Sequence, residues 1–129
     1  MPAVLIHGVP DTVLMWDPLR AHLQRDDVIA LALPGFGTPV PDGFGATKEE
    51  YADWITDQIR ALGEPVDLVA HDWGCLLAQR VASTHPELVR TVCGFAPNGF
   101  HWCDANTSYD VETALAMAPK FANTGHLQL

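Results

Sequence analysis

Basic residues are scarce in this chain. Among its 129 residues, seven are Lys or Arg and sixteen are Asp or Glu, which gives a formal net charge of −9 at pH 7. The basic side chains are scattered singly, so they form no positive face for phosphate groups. This balance argues against nucleic acid and anionic membrane surfaces as partners. A small neutral or cationic molecule fits better, and we expect a small neutral organic substrate.

Long hydrophobic runs and closely paired cysteines are also missing. No apolar stretch approaches the roughly 20 residues that span a bilayer, and no basic region precedes the apolar N-terminus as it would in a signal peptide. We therefore expect a cytoplasmic protein. The three cysteines show no Cys-x-x-Cys spacing, so neither a metal site nor a cofactor is expected.

Four short apolar runs rich in Val, Ile and Leu recur along the chain, at Ala3–His7, Val28–Leu33, Val66–Ala70 and Val89–Phe95. Each has the length of a buried strand, and their continuous hydrophobicity indicates burial on both faces. The segments between them carry helical patterns. Strands that alternate with helices predict an α/β protein, with a parallel sheet and helices on both faces.

Local signals mark where the helices begin. Thr47 with Glu50 three residues later forms a capping box before an amphipathic stretch. Asp17 followed by Pro18 is typical of an N-cap with proline at the first helical position. A third helix is expected over about residues 73–83.

A tight turn from strand to helix is predicted at residues 70–74, which read Ala-His-Asp-Trp-Gly. The turn fits the pattern small-x-nucleophile-x-small, in which Ala70 and Gly74 leave room for the backbone. Asp72 takes the nucleophile position, and a carboxylate can attack a saturated carbon to form an ester on the enzyme. The positive end of the following helix favours the ionised carboxylate. The alternative is that Asp72 is an ordinary helix N-cap.

A second motif, His-Gly-Val-Pro, directly follows the first strand. A glycine turn there can aim backbone N–H groups into a cleft, and the N–H groups of Val9 and Trp73 could together form an oxyanion hole. His7 and Gly8 belong to the same candidate site. The simpler alternative is a turn that only ends a strand.

Residues 2–10, 33–37 and 69–74, in this order and at these spacings, resemble the epoxide hydrolase and haloalkane dehalogenase branch of the α/β-hydrolases. His-Gly-x-Pro resembles the oxyanion loop of that branch, and His-Asp-Trp-Gly its aspartate elbow. The resemblance covers about residues 2–97 and implies a partial α/β-hydrolase fold, with the strand order second, first, third, fourth. It also implies that Asp72 attacks an epoxide or halogen-bearing carbon, and that a histidine-activated water hydrolyses the resulting ester.

The resemblance places the histidine base and its acidic partner after later strands, and the chain ends before those strands. His126 has a neighbourhood like the family's histidine loop, and Asp104 and Asp110 are candidates for the acid. Trp73 matches the position whose indole N–H holds a departing halide in dehalogenases, and Trp102 is a candidate second donor. The alternatives are a mobile terminal histidine, turn-forming aspartates and packing aromatics.

We expect one domain, in which residues 1–97 form the hydrolase core and residues 98–129 form a cap-like or irregular segment. The outer edge of the fourth strand is apolar, and a bare edge of this kind can pair with another chain. A homodimer through this edge would bring His126 of one subunit towards Asp72 of the other.

Two functions are consistent with these patterns. The first is an aspartate-nucleophile hydrolase of the epoxide hydrolase or haloalkane dehalogenase type. The second is a non-catalytic binding or scaffold module derived from the same fold. Its pocket would hold small apolar ligands between Phe36, Trp73, Phe95 and Phe100.

Overall fold

A four-stranded parallel sheet forms the centre of the fold. The computed structural model describes residues 1–95, and the strands are β1 (Ala3–Ile6), β2 (Val28–Leu31), β3 (Val66–His71) and β4 (Val89–Phe95). They lie in the order β2-β1-β3-β4, and every neighbouring pair is parallel. The predicted α/β class, the four strands and their order are confirmed.

The carboxyl ends of β1 and β2 come earlier than predicted. β1 ends at Ile6, which pairs with Leu31 of β2 and with Ala70 of β3. Beyond Leu31 the backbone N–H of Leu33 donates to the His7 ring instead of continuing the ladder. A side chain therefore ties the two strand ends together at the place where the candidate site lies.

Within residues 1–95, three α-helices accompany the sheet: α1 (Asp17–His22), α2 (Lys48–Leu62) and α3 (Trp73–Thr84). The chain goes from β1 to β2 in one direction and then returns past β1 to β3 and β4. Because crossovers between parallel strands are right-handed, this reversal places α1 on one face of the sheet and the other two helices on the opposite face. α2 and α3 pack against each other.

The helix starts show one confirmed prediction and one error. In the capping box of α2, the Thr47 hydroxyl accepts from the Glu50 N–H at 3.2 Å, and the Glu50 carboxylate accepts from the Thr47 N–H at 3.0 Å. The N-cap predicted for Asp17 is wrong. A 3-10 turn over Val13–Trp16 runs directly into α1, so Trp16 is the cap residue and Asp17 the first helical residue.

The main core lies between the sheet and the helices α2 and α3. Its enclosed side chains come from the inner strands and from one face of each of these helices, and they include Val4, Ile6, Ile55, Ile59, Val66, Leu68 and Val81. Burying such an aliphatic side chain contributes about 1.5–3 kcal/mol. This packing holds the first turns of α2 and α3 at the carboxyl ends of the strands, where open α/β sheets bind ligands.

Two predictions concern residues outside the described part of the chain. The division into a core over residues 1–97 and a segment over residues 98–129 stays a prediction. β4 pairs with β3 along one side, and a homodimer through its other side likewise stays a prediction.

No helix among the described residues is long and apolar enough to cross a membrane.

Candidate active site

Asp72 alone makes the turn between β3 and α3. Its backbone has φ 53° and ψ −121°, a left-handed conformation that costs a non-glycine residue about 1–3 kcal/mol. Two bonds hold the turn: the Asp72 N–H donates to the Phe95 carbonyl at 2.7 Å, and the Asp72 carbonyl accepts from the Cys75 N–H at 3.0 Å. Strain of this kind persists where the surrounding structure fixes it, and it is typical of a nucleophile elbow.

The side chain of Asp72 does not cap its helix. Within residues 1–95 it makes no hydrogen bond to the first turn of α3. Its Oδ2 accepts instead from the backbone N–H of Val9, at 3.2 Å. Asp72 holds the N-cap position of α3, but it lacks the extended backbone and the side-chain bond to its own helix that an ordinary N-cap residue has.

Two glycines allow the loop after β1 to approach the elbow. A Cβ on Gly8 would lie 2.5 Å from the Cβ of Asp72, and a Cβ on Gly74 would lie 2.6 Å from the carbonyl oxygens of Ile6 and His7. The elbow therefore needs small residues because β1 and its loop press against it.

The Val9 N–H faces the elbow and donates to the Asp72 carboxylate. Trp73 is the first residue of α3, so its N–H has no carbonyl partner inside the helix. The positive end of α3 also favours negative charge at Asp72.

His7 is placed differently from the other candidate residues. Its side chain is fully buried and does not line the cavity described below. The ring accepts from the Leu33 N–H through Nε2 at 3.0 Å, and its Nδ1 lies 2.8 Å from the Gly8 carbonyl oxygen. His7 thus contacts backbone on two loops.

An apolar cavity of about 320 Å³ adjoins the elbow. Its walls come from the loop after β1, the loop after β2 and the first turns of α2 and α3; they are formed by Val9, Leu33, Phe36, Ala46, Tyr51, Trp73 and Leu77. Phe36 and Trp73 were named from the sequence for a pocket of this kind. Phe95 is absent from these walls, and Phe100 lies outside the described residues.

Two cavity residues, Tyr51 of α2 and Leu77 of α3, were not predicted from the sequence. The available signal for Tyr51 was its position in the first turn of α2, because that end of the helix lies at the carboxyl ends of the strands. Its hydroxyl donates to the Pro34 carbonyl at 2.8 Å. Leu77, one turn into α3, carried no comparable signal.

Cys75 is the other nucleophilic side chain near the elbow. Burial, aided by the neighbouring Asp72 charge, raises the pKa of its thiol to about 12. The Sγ donates to the carbonyl oxygens of Ala70 and Phe95, at 3.3 and 3.4 Å. A thiol that stays protonated is a poor nucleophile, so Asp72 is the better placed group.

The remaining candidates cannot be placed on this geometry. Trp102, Asp104, Asp110 and His126 all lie outside the described residues. Among residues 1–95, no group of three His, Cys, Asp or Glu side chains is arranged to hold a metal ion.

The model of the alpha/beta hydrolase family matches residues 3–127. This chain belongs to the alpha/beta hydrolase family. The resemblance inferred from the sequence motifs is confirmed at this level.

Several relatives of this alpha/beta hydrolase are enzymes by name. It is 34% identical, over 69% of its length, to (E)-2-((N-methylformamido)methylene)succinate hydrolase from Acinetobacter baylyi, of which it covers 35%. It is 33% identical, over 71% of its length, to epoxide hydrolase srdG from Neurospora crassa, of which it covers 29%. The crystal structure of haloalkane dehalogenase DbeA from Bradyrhizobium elkani USDA94 is 28% identical over 72% of this chain and 33% of that one, with a TM-score of 0.65. This alpha/beta hydrolase thus spans about a third of the length of these proteins.

Proposed function

We propose that this alpha/beta hydrolase uses Asp72 as the nucleophile in hydrolysis of an epoxide or a haloalkane. The observation that carries the proposal is the position of the Asp72 carboxylate. It stands on a strained elbow beside an apolar cavity, and its Oδ2 accepts from the Val9 N–H at 3.2 Å. An aspartate held in this way is not needed to cap or stabilise its own helix.

The hydrogen bond from the Val9 N–H gives the two carboxylate oxygens of Asp72 different roles. Oδ1 attacks the substrate carbon and forms a C–O bond, while the carbon–halogen or epoxide C–O bond breaks. The electron pair leaves on the halide, or on the epoxide oxygen, which then takes up a proton. Oδ2 becomes the carbonyl oxygen of the ester and stays beside the Val9 N–H.

The second step returns Asp72 to its free form. Water gives up a proton to a base and attacks Cγ of the ester, so negative charge develops on Oδ2. The Val9 and Trp73 N–H groups stabilise this oxyanion, and one such donor accelerates reactions of this kind about 10²–10³-fold. Collapse of the intermediate releases the alcohol and restores the carboxylate.

The base and the acid are part of the proposal. We assign the base to His126 and its acidic partner to Asp104, on the sequence resemblance alone. If the homodimer through β4 forms, His126 of the second copy is an alternative source of the base. Size-exclusion chromatography that shows a monomer would remove this arrangement.

The cavity supports a small neutral substrate. Its walls are aliphatic and aromatic, with no Lys, Arg, Asp or Glu from residues 1–95 among them, so an anion would lose hydration there without gaining a partner. For a haloalkane, the indole N–H groups of Trp73 and Trp102 are the proposed halide donors. The similarity to an epoxide hydrolase and to a haloalkane dehalogenase supports these two substrate classes.

A non-catalytic module that binds small apolar ligands is the second candidate. The observation that favours it is the cavity itself, which needs no chemistry at Asp72 to hold a ligand. In this function the strained turn at Asp72 would have a structural role and no catalytic one.

The substitution Asp72→Asn separates the two functions. The hydrolase proposal expects this variant to bind an unreactive alkane-like ligand in calorimetry while losing all reaction with epoxides and haloalkanes. Asp53→Asn is the matched control, because Asp53 is exposed on α2, and it should leave both properties unchanged. Reaction that persists in Asp72→Asn would contradict the hydrolase proposal, and a wild type that binds but never reacts would favour the binding module.

A further inference from the structure

We propose that His7 is a positioning residue that aims the Val9 N–H at Asp72. The inference goes beyond the reaction proposed above and assigns a task to a side chain that does not reach the cavity. The contacts of His7 are independent of the proposed function. The effect of His7 on ester cleavage rests on that function.

The two contacts of the His7 ring define its tautomer. The Leu33 N–H donates to Nε2 at 3.0 Å, so Nε2 carries a lone pair and no proton. Nδ1 lies 2.8 Å from the Gly8 carbonyl oxygen, which can only accept, so Nδ1 carries the proton and donates it. The ring is therefore a neutral imidazole with one donor and one acceptor in use.

The Gly8 carbonyl and the Val9 N–H belong to one peptide group. This group is planar and trans, because the cis bond among the described residues is the following one, between Val9 and Pro10. In a trans peptide the C=O and the N–H point in opposite directions. When His7 holds the Gly8 oxygen on one side, the Val9 N–H must point to the other side, where Asp72 Oδ2 accepts it at 3.2 Å.

The other side of the ring is anchored to the loop after β2. The Leu33 N–H that binds Nε2 stands directly before the segment that carries Phe36, and the Phe36 ring contacts the His7 ring edge to face, with centroids 5.8 Å apart. The ring is fully buried, so water does not compete for its two hydrogen bonds. His7 therefore fixes the oxyanion loop against a wall of the cavity.

The tautomer can be measured on the unmodified chain. Nitrogen-15 NMR of labelled histidine should show a His7 ring protonated at Nδ1 and bare at Nε2, with a coupling across the hydrogen bond from the Leu33 amide. A ring protonated at Nε2, or one that exchanges between the two tautomers, would overturn the inference. This measurement needs neither a substrate nor a variant.

Two substitutions of His7 test its hydrogen bonds to Gly8 and Leu33 separately. In His7→Asn the amide nitrogen stands near the position of Nδ1 and can still donate to the Gly8 carbonyl. In His7→Gln the amide oxygen reaches the position of Nε2 and can accept from Leu33, but the donor to Gly8 is lost. A purely structural role would predict similar effects, or a smaller effect for the longer Gln.

The readout is cleavage of the Asp72 ester by hydroxylamine. Hydroxylamine attacks the same carbon as water and produces the same oxyanion, and it works without the histidine base. We expect His7→Gln to slow cleavage in the folded protein about 10- to 100-fold relative to wild type, as for a misplaced oxyanion donor, and His7→Asn to slow it less. In denaturant all rates should become equal. His22→Gln is the control, since His22 is exposed and its ring contacts the Pro18 carbonyl of its own helix.

The outcomes distinguish this inference from the proposed function. Equal cleavage rates in His7→Gln and wild type, or a larger loss in His7→Asn, would overturn the role of His7. If no ester forms on the wild type, the proposed reaction fails, while the NMR experiment still decides whether His7 holds the Gly8 carbonyl.

Discussion

At the scale of single residues, the site depends on how closely the loop after β1 approaches Asp72. The Val9 N–H reaches the carboxylate only because the neighbouring Gly8 has no side chain, since a Cβ there would stand 2.5 Å from the Cβ of Asp72. Real carbon atoms do not approach so closely, so any side chain at this position must push the loop or the elbow away.

Gly8→Ala should therefore impair ester formation far more than it impairs folding. Displacing the nucleophile by about 1 Å is expected to slow formation of the Asp72 ester roughly 100-fold, as measured by the rate at which the adduct mass appears. Gly43→Ala is the control for reactivity: a Cβ there meets nothing within 4 Å, and although its φ of 75° should cost this variant some stability, ester formation should keep the wild-type rate. An unchanged rate of ester formation in Gly8→Ala would show that the close approach of Gly8 to Asp72 is not needed for the reaction.

Cys75 gives a prediction for alkaline pH. Burial raises the pKa of this thiol from its ordinary value of 9.0 to about 12 in the folded chain, so above pH 9 the unfolded chain releases a proton that the folded chain keeps. Stability should fall as the pH rises from 9 towards 12, by at most about 1.4 kcal/mol per pH unit from this group. Denaturant titrations of wild type and Cys75→Ala should show a shallower decline in the variant. Parallel declines would mean that the thiol is not protected by burial.

At the scale of elements, most of the fold was predictable because its signals are local. Each signal can be recognised within a few residues and corresponds to an element of the structure. The signals are the four apolar runs, the capping box at Thr47 and the small-x-Asp-x-small turn. The error at Asp17 is also local: a 3-10 turn that runs into a helix leaves no free N-cap, and the sequence shows this only weakly.

The contacts that build the site were less predictable because they join distant parts of the chain. The bond from the Leu33 N–H to His7 depends on how β1 and β2 align, and the position of Tyr51 in the cavity depends on how α2 packs. The Val9 N–H was predicted from the glycine turn after β1, and it contacts Asp72. The contacts of His7 carry no sequence signal, because its Leu33 partner lies on a different loop.

The capping box of α2 can be tested directly. Thr47→Ala removes the hydroxyl that accepts from the Glu50 N–H, and the loss of an N-cap costs about 1 kcal/mol. Ser83→Ala is the control, because this exposed hydroxyl donates to a carbonyl of its own helix, and its loss should stay within about 0.5 kcal/mol. Equal costs in chemical denaturation would mean that the cap contributes little.

At the scale of the whole molecule, the charge balance disfavours anionic substrates. The net charge of −9 repels anions, and no basic side chain from residues 1–95 lines the cavity to attract them. Membership of the alpha/beta hydrolase family is shown by a match over residues 3–127. The activity of the whole protein stays a proposal, since the chain spans about a third of its relatives.

The charge predicts a preference between two reagents. A neutral bromoalkane should form the Asp72 ester at least about tenfold faster than a bromoalkanoate of similar length at low salt. The difference should narrow as salt rises, because screening shortens the reach of the field. The control is the rate at which each reagent alkylates a free carboxylate in solution, which corrects for the difference in their intrinsic reactivity. A bromoalkanoate that reacts as fast as the neutral reagent would contradict this view of the site.

The central claim is that Asp72 is a nucleophile, and intact-protein mass spectrometry after brief incubation with a reactive bromoalkane, and separately with an epoxide, tests it most directly. We predict one adduct per chain, located by peptide fragmentation at Asp72, released by hydroxylamine and absent from Asp72→Asn. An adduct at another residue, or no adduct and no product with either reagent, would contradict the account and leave the elbow as a structural feature of a binding module.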